Sequence, residues 1–345
     1  MTATPFERLE IGLYSIAATA DNAAVARKAE ARGFKRVWLA EDHHSRDIFV
    51  QAAAIATSTR SIEIGLGIVN PYTRHPAQIA MGVADLEELG GPRMTLGFGA
   101  AWSAIGAHGV ANPRPIRALK EAGEICRALL KGEQVTYAGE IFRLPAPGAR
   151  LSFPLARKGV PLYYGSMGPK TLAMAAPIAD GLLFSVFCSP RFVAERMTHV
   201  TAALAKAGRA AADLDIAGYI IFAVDRDGAA ARHTAKKLIA HYVRRMRDDL
   251  RYQAAGLDPA RMATMKQDLN AAFAAGRWAQ AVEQVPDDVV AALAVAGTPE
   301  ECVAGLRAYA AAGLKRPVLY HALGPDRVAA IDLIADQVRP ALAPA

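Results

Sequence analysis

Along most of the chain, short apolar runs alternate with longer stretches in which apolar residues recur at helical spacing. That is the pattern of strand-then-helix units. Leu9–Tyr14 is followed by Asp21–Arg32, a predicted helix with Asp21 as its N-cap and Gly33 at the left-handed position beyond its end. Arg36–Ala40 leads into Ile48–Thr59, and Ile62–Val69 leads through Asn70–Pro76 into Ala77–Leu89. Met94–Gly99 opens a fourth unit, whose helix Pro115–Lys131 begins on a proline. The alternation then pauses, because Gln134–Tyr137 and Ile141–Leu144 read as a small hairpin around Gly139. It resumes with strand Leu162–Gly165, helix Pro169–Ala179, strand Gly181–Ser185, helix Pro190–Ala207 and strand Ile216–Val224. Ala229–Leu293 reads as helical, with no clear strand. Helix Pro299–Ala312, strand Pro317–Tyr320 and a last helix end the series.

Strands followed by helices, eight times over, form either a closed barrel or an open doubly wound sheet. Closure is the expectation, because no Pro- or Gly-rich linker splits the chain. The dinucleotide fingerprint of an open sheet is also missing. Gly65-Leu66-Gly67 has Asn70, and Gly97-Phe98-Gly99 has Trp102, where a third glycine belongs. The predicted fold class is therefore α/β, a (β/α)8 TIM barrel, read as a single domain over 1–345 with a helical insertion at 229–293.

Composition agrees with an ordered globular protein: of 345 residues, 52% are hydrophobic and 21% charged. Charged residues interrupt every apolar run before the roughly 18 residues that a membrane helix needs. Met1–Glu10 has no apolar targeting core, so the expected location is the cytoplasm. Cys126, Cys188 and Cys302 are far apart and in no C-x-x-C spacing, which predicts neither disulfides nor a zinc site. The formal net charge of +7 is modest for nucleic-acid binding, and no such partner is expected. It is concentrated in His233–Arg251, which carries Lys236, Lys237, Arg244, Arg245, Arg247 and Arg251 against Asp248 and Asp249. This is either a solvated helix face or a landing surface for an anionic ligand.

In barrels of this kind the active site is built after the carboxyl ends of the strands. Four such places stand out. Glu41-Asp42-His43-His44 sets four titratable side chains in a row, suited to holding an imidazole in one tautomer or to proton transfer, and otherwise an ordinary solvated loop. Gly67 to Pro76 reads G-I-V-N-P-Y-T-R-H-P, where two prolines and a glycine force an irregular path against which a flat ligand can lie. Gly165-Ser166-Met167-Gly168-Pro169-Lys170-Thr171 runs straight into a helix and reads as a phosphate cradle or a plain capped turn. Pro169 excludes a Walker loop. Gly97-Phe98-Gly99-Ala100-Ala101 either admits a ring closely or only lets the chain turn.

Taken together and in this order, these segments resemble the bacterial-luciferase-like superfamily, and more closely its deazaflavin-using branch, the one that resembles methylenetetrahydromethanopterin reductase. The matching runs are Trp38–His43 (W-L-A-E-D-H), Gly67–Pro76, Arg114–Leu144 and Pro161–Leu183, with N-P-Y-T-R-H-P and G-P-K-T-L the most specific. The resemblance implies a barrel that binds coenzyme F420, or alternatively FMN, with hydride passing at C5 of the ring. It implies that Asp42 and His43 lie by the ring as catalytic residues. It also implies a non-prolyl cis peptide at Gly67–Ile68 that bulges against the ring, beside Val69, Asn70 and Gly99. Gly165, Ser166, Met167, Gly168, Pro169, Lys170 and Thr171 would hold the phosphate. One departure stands out. Many relatives carry an acid just after the strand-four glycines, and here the segment is Gly99-Ala100-Ala101-Trp102.

The expected function is a cytoplasmic oxidoreductase passing a hydride between F420 or a flavin and a small organic substrate, without metal, nucleic acid or membrane, and as a homodimer. One rival is an FMN-dependent monooxygenase supplied with reduced flavin by a partner reductase. The other is a non-catalytic barrel that binds flavin or F420, to which the missing strand-four acid points.

Overall fold

The computed structural model describes residues 6, 8–13, 15–42, 45–100, 109–111, 113–165, 167–246 and 249–343, with only the backbone of Asp249 and Ala322. In chain order its elements are β1 (Glu10–Gly12), α1 (Thr19–Ala31), β2 (Arg36–Leu39), α2 (Ile48–Ser58), β3 (Glu63–Val69), α3 (Pro76–Gly90) and β4 (Met94–Phe98). Then follow α4 (Pro115–Leu129), β5 (Val135–Ala138), β6 (Arg143–Ala149), β7 (Leu162–Gly165), α5 (Pro169–Ala175), β8 (Gly181–Phe184), α6 (Pro190–Ala207) and β9 (Asp215–Val224). The remainder is α7 (Gly228–Arg245), α8 (Asp249–Ala254), α9 (Pro259–Ala274), α10 (Trp278–Glu283), α11 (Asp287–Leu293), β10 (Ala294–Gly297), α12 (Pro299–Ala311), β11 (Arg316–Leu323), α13 (Arg327–Leu333) and α14 (Arg339–Leu342).

The chain forms two compact units. Unit 1 is Met1–Gly12, Phe184–Thr198 and Ala217–Ala345, and unit 2 is Leu13–Leu183 and His199–Ile216. Unit 2 holds β2, β3, β4, β7 and β8, each parallel to the next in that order. These strands are buried along nearly their whole length, as parallel strands covered on both faces must be. The amino ends of β3 and β4 are clamped by two polar side chains, the buried Arg93 and the partly exposed Glu30. The Arg93 guanidinium donates to the carbonyls of Ala56, Thr59, Ile62 and Gly90, and the Glu30 carboxylate accepts the N–H groups of Arg60, Ser61 and Ile62. Trp38 is fully buried, and its ring occupies the space where any side chain at Gly65 would begin: a Cβ there would lie 2.3 Å from the indole.

Unit 1 holds β1, β11, β9 and β10, again each parallel to the next. Its core is lined by Ala217 to Val224 of β9 and by Val318 to Tyr320 of β11. Part of the basic α7 face is paired: Lys236 reaches Asp287 at 2.8 Å, and the Glu283 carboxylate lies 3.1 Å from His233 Nδ1.

All eight strands read from the pattern are present, and three local readings are corrected. Ala294–Gly297 is a further parallel strand, invisible in sequence because its A-V-A-G carries one β-branched residue and continues the helical V-V-A-A-L before it. Helix α1 begins two residues before Asp21, with Ala18 at the cap and no side-chain bond, so Asp21 acts only through its charge in the first turn. The hairpin's second strand begins at Arg143, not Ile141. No helix among the described residues is long and apolar enough to cross a membrane.

Candidate functional site

Every described residue expected at the site lies in unit 2, at the carboxyl ends of β2, β3, β4 and β7. The exit of β3 is the most irregular of these. Gly67–Ile68 is a cis peptide. Gly67 pairs with Gly97 and Val69 with Phe98, so Ile68 is the extra residue of a bulge. Its side chain turns toward β4 and β7: a Cβ on Gly99 would stand 2.5 Å from Ile68 Cδ1, and one on Gly165 would stand 2.6 Å from Ile68 Cγ2. The room left by Gly99 and Gly165 is thus filled by Ile68, not left open to a ligand.

Beyond the bulge, Asn70 is buried at 1% exposure and its amide is bonded at both the oxygen and the nitrogen. Its Oδ1 accepts the Tyr72 N–H at 2.8 Å, and its Nδ2 donates to the Ala100 carbonyl at 3.2 Å. Its backbone N–H donates to Glu41 Oε2 at 3.0 Å. The exits of β2, β3 and β4 are therefore joined through one residue, Asn70. A second tie runs from Arg74 to Asp47 at 2.7 Å, while Asp47 also caps α2 and the Arg74 guanidinium stacks over Phe49.

Within the acidic loop after β2, the carboxyl engaged with the β3 exit is that of Glu41, which sequence reasoning passed over in favour of Asp42. Burial raises the Glu41 pKa, and the Asn70 N–H and the Arg74 charge offset this only in part. Asp42 is half-buried, with its carbonyl accepting the Ser45 N–H. His43 and His44 lie outside the described residues, as do Ala101, Trp102 and Ser166. The other polar side chains of the loop after β3 have local employment. His75 caps α3 through Nδ1, sets its ring edge on Phe142, and is kept neutral by burial, which lowers its pKa. The Tyr72 hydroxyl donates to the Pro113 carbonyl, and its pKa is pushed up to about 12 by burial with help from Glu121.

After β7, Gly168 is the N-cap of α5, with Pro169 at the first turn and no side chain capping the helix. Gly168, Pro169 and Lys170 are exposed, and the nearest atom to a Cβ on Gly168 would be Thr171 Oγ1 at 3.8 Å. Thr171 and Leu172 close the first turn onto the Gly168 carbonyl. An open glycine, an uncapped helix start and an exposed lysine fit a phosphate, although with seven residues α5 contributes only a short dipole. The β3 bulge offers bare backbone and an apolar side chain, which suits the face of a flat ring. The residues present thus fit a phosphate-bearing cofactor with a planar head.

Parallel strands followed by helices, with a bulge at the end of the third and an open Gly-Pro turn into a helix after the fifth of the eight, define the class as a luciferase-like (β/α)8 barrel. The luciferase-like monooxygenase family model matches residues 2–316, and the chain belongs to that family. It is 32% identical over 315 residues to the 5,10-methylenetetrahydromethanopterin reductase of Methanolobus tindarius, spanning 91% of this chain and 94% of that one. It is 26% identical to the F420-dependent glucose-6-phosphate dehydrogenase of Nakamurella multipartita, over 93% and 91% of the two chains. Among solved structures, the coenzyme F420-dependent tetrahydromethanopterin reductase of Methanopyrus kandleri superposes with a TM-score of 0.87 at 26% identity, covering 99% of this chain and 100% of its own. The monooxygenases that it matches are more distant structural neighbours, a likeness of fold alone.

Proposed function

We propose that this luciferase-like enzyme passes a hydride between coenzyme F420 and a small organic molecule, and that the substrate class is the one-carbon aminal of a reduced pterin. The observation that carries the reading is the β3 exit of unit 2, a bulged backbone platform fixed by Asn70 and Glu41. The relatives supply the cofactor and the substrate class: the Methanopyrus kandleri reductase and the glucose-6-phosphate dehydrogenase are F420-dependent by name, and the Methanolobus tindarius relative is a 5,10-methylenetetrahydromethanopterin reductase. When bound, F420 supplies the hydride chemistry, and the protein supplies binding, orientation and electrostatics.

In this reading the backbone of Gly67, Ile68, Val69 and Asn70 supports the ring, with Gly99 and Gly165 giving Ile68 the room to form that surface. Gly165 to Thr171 hold the phosphate through backbone N–H groups and the Lys170 ammonium. Asp42 and His43 stand by the reacting face, where the His43 imidazole takes up or gives the proton that accompanies hydride movement. Glu41 keeps Asn70, and with it the platform, in place. The helices 229–293 are read as the insertion that carries substrate-side residues. Three further readings belong here. The three buried free thiols fit a reducing cytoplasm. The exposed Val50, Met81 and Leu89 on the packed pair α2 and α3 fit burial against a second copy of the chain. A separate reductase would return the cofactor to its reduced form.

Titrating the purified protein with F420 and with FMN, followed by cofactor fluorescence, tests the cofactor. Binding of F420 and not FMN is expected, and the reverse would overturn it. Turnover of reduced F420 with a methylene-bridged tetrahydropterin, against acetone and 6-phosphogluconolactone, tests the substrate class. Reduction of acetone alone would move the assignment to carbonyls.

A further inference from the structure

The β5–β6 hairpin lies outside the barrel. It is a separate two-stranded sheet, and β6 is exposed or half-buried at every position, so the hairpin buries little apolar surface of its own. An isolated hairpin of this kind is at best marginally stable in water, and its place must be set from outside. Unit 2 supplies both what holds its tip and what the tip touches.

The tip is held by Glu121 of α4, a carboxylate that is 2% exposed. Its Oε1 accepts the Glu140 N–H at 2.9 Å, and its Oε2 accepts the N–H groups of Ile141 and Phe142 at 3.0 Å each. Arg117 Nε donates to Oε1 at 3.0 Å. Burial alone would raise the Glu121 pKa, but the three N–H groups and the Arg117 charge lower it instead, so the carboxylate stays ionised where it accepts them. Gly139 completes the seat, because a Cβ there would collide with the same carboxylate. One side chain thus takes up three consecutive N–H groups of the turn and fixes the residue at its end, Phe142.

The tip touches the loop after β3. Phe142 is 8% exposed, its ring lies 6.4 Å from that of Tyr72, and it meets the His75 ring edge-on at 5.7 Å. Both neighbours are tied to elements that frame the bulge: the Tyr72 N–H donates to Asn70 Oδ1, and His75 Nδ1 accepts the Ala77 N–H at the start of α3. Pro71 and Pro76 fix their own φ, whereas the residues between them keep their backbone freedom unless their side chains are packed. Phe142 is the packing that two of those side chains share.

We propose that the hairpin is a brace for the β3 exit, in which Phe142 and Glu121 are positioning residues for the ring platform at Gly67 to Asn70. This rests on the F420 reading above, and both residues act through the loop, not on the cofactor. Glu121 sets the tip, Phe142 limits the swing of Tyr72 and His75, and Asn70 is held in turn through the Tyr72 N–H.

The experiment compares Phe142→Ala with Val135→Ala in the full chain. Val135, 7% exposed, sits at the open end of the hairpin opposite Ala149, so its truncation loosens the hairpin away from the tip. Phe142→Ala is expected to raise the Kd for F420 about 10-fold, the size of couplings carried through packed side chains. In turnover with a methylene-bridged tetrahydropterin it should raise the KM for F420 and leave kcat at saturating cofactor unchanged. Val135→Ala should lower the melting temperature and leave Kd and KM as they are. Glu121→Gln, which sets an amide against the N–H groups of the turn, should follow Phe142→Ala. Should Phe142→Ala fail to fold, Phe142→Leu, which keeps most of the volume, takes its place with the same expected direction. An unchanged Kd in the folded variant, an equal loss in Val135→Ala, or a fall in kcat with KM intact would overturn the proposal. A further readout needs no cofactor: the Tyr72 amide, held by Asn70, should exchange its hydrogen faster in the Phe142 variant than in the wild type or Val135→Ala. If the wild type binds no F420, the cofactor reading falls while this exchange still decides the brace, and identical exchange in all three proteins would overturn it.

Discussion

The strand exits of the two units reach irregular backbone by opposite means. In unit 2 the irregularity is written in residues that permit it: Gly67, Asn70, Pro71 and Pro76 around the β3 bulge, and Gly165, Gly168 and Pro169 before α5. In unit 1 it falls on Phe187, His321 and Leu323, side chains that resist the left-handed region. Permissive residues let the backbone take the shape at little cost, so the shape persists with or without neighbours. Resistant residues take it only where their surroundings impose it, as packing and hydrogen bonding around Tyr242 do for Phe187 and His321. The first device leaves a signature in the sequence, and the second does not.

Substitutions on either side can sharpen or break this contrast. The largest effect is expected at His43. If the exits of unit 2 carry the chemistry, His43→Ala should lower turnover by roughly 10²–10⁴-fold with a much smaller change in F420 affinity. Near-normal turnover at saturating cofactor would take the proton away from this loop. Next in size is Gly168→Val. It should weaken F420 binding by about 2–3 kcal/mol, the worth of lost charge-assisted hydrogen bonds, with an unchanged melting temperature, because the new Cβ meets nothing closer than 3.8 Å. An unchanged Kd would remove the phosphate from this turn.

Gly99→Ala should be felt in both stability and binding, since its Cβ would press on Ile68 Cδ1 at 2.5 Å. Overpacking of this kind costs about 1–3 kcal/mol, readable in a urea titration, and displacement of Ile68 should lower F420 affinity alongside. A loss of stability with intact binding would show that the bulge is scaffold and not platform. The smallest effect concerns pH. His321 has a pKa well below the free value in the folded chain, while the unfolded chain has an ordinary imidazole near about 6.5. Below that pH the unfolded state takes up a proton that the folded state refuses, so stability falls with pH by about 1.4 kcal/mol per unit for this one group. The slope should shrink in His321→Asn, and an identical slope would mean that His321 titrates freely.

Much of the fold was legible because a parallel strand buried on both faces must be a short apolar run, and a covering helix must be amphipathic. That is why Ile62–Val69 and Met94–Gly99 could be placed almost to the residue. Ala294–Gly297 was not legible, since small residues after a helix give neither signal. At the site, the cis Gly67–Ile68 bond and the turn into α5 fell where the resemblance put them. The choice between Glu41 and Asp42 did not follow from sequence. Adjacent carboxylates in a loop look alike, and only the Asn70 N–H, 29 residues away, distinguishes them.

The sequence by itself determined the strand-and-helix order, the eight barrel strands and the glycine- and proline-marked exits of unit 2, because each depends on periodicity or on the backbone freedom of single residues. The tertiary structure alone decided that Ile68 fills the space at Gly99 and Gly165, that Glu41 is tied to Asn70, and that Tyr242, Tyr320 and His321 meet at one hydroxyl. Those are contacts between residues distant in the chain. Their energies exist only once the backbone has brought the partners together, and no local pattern records them.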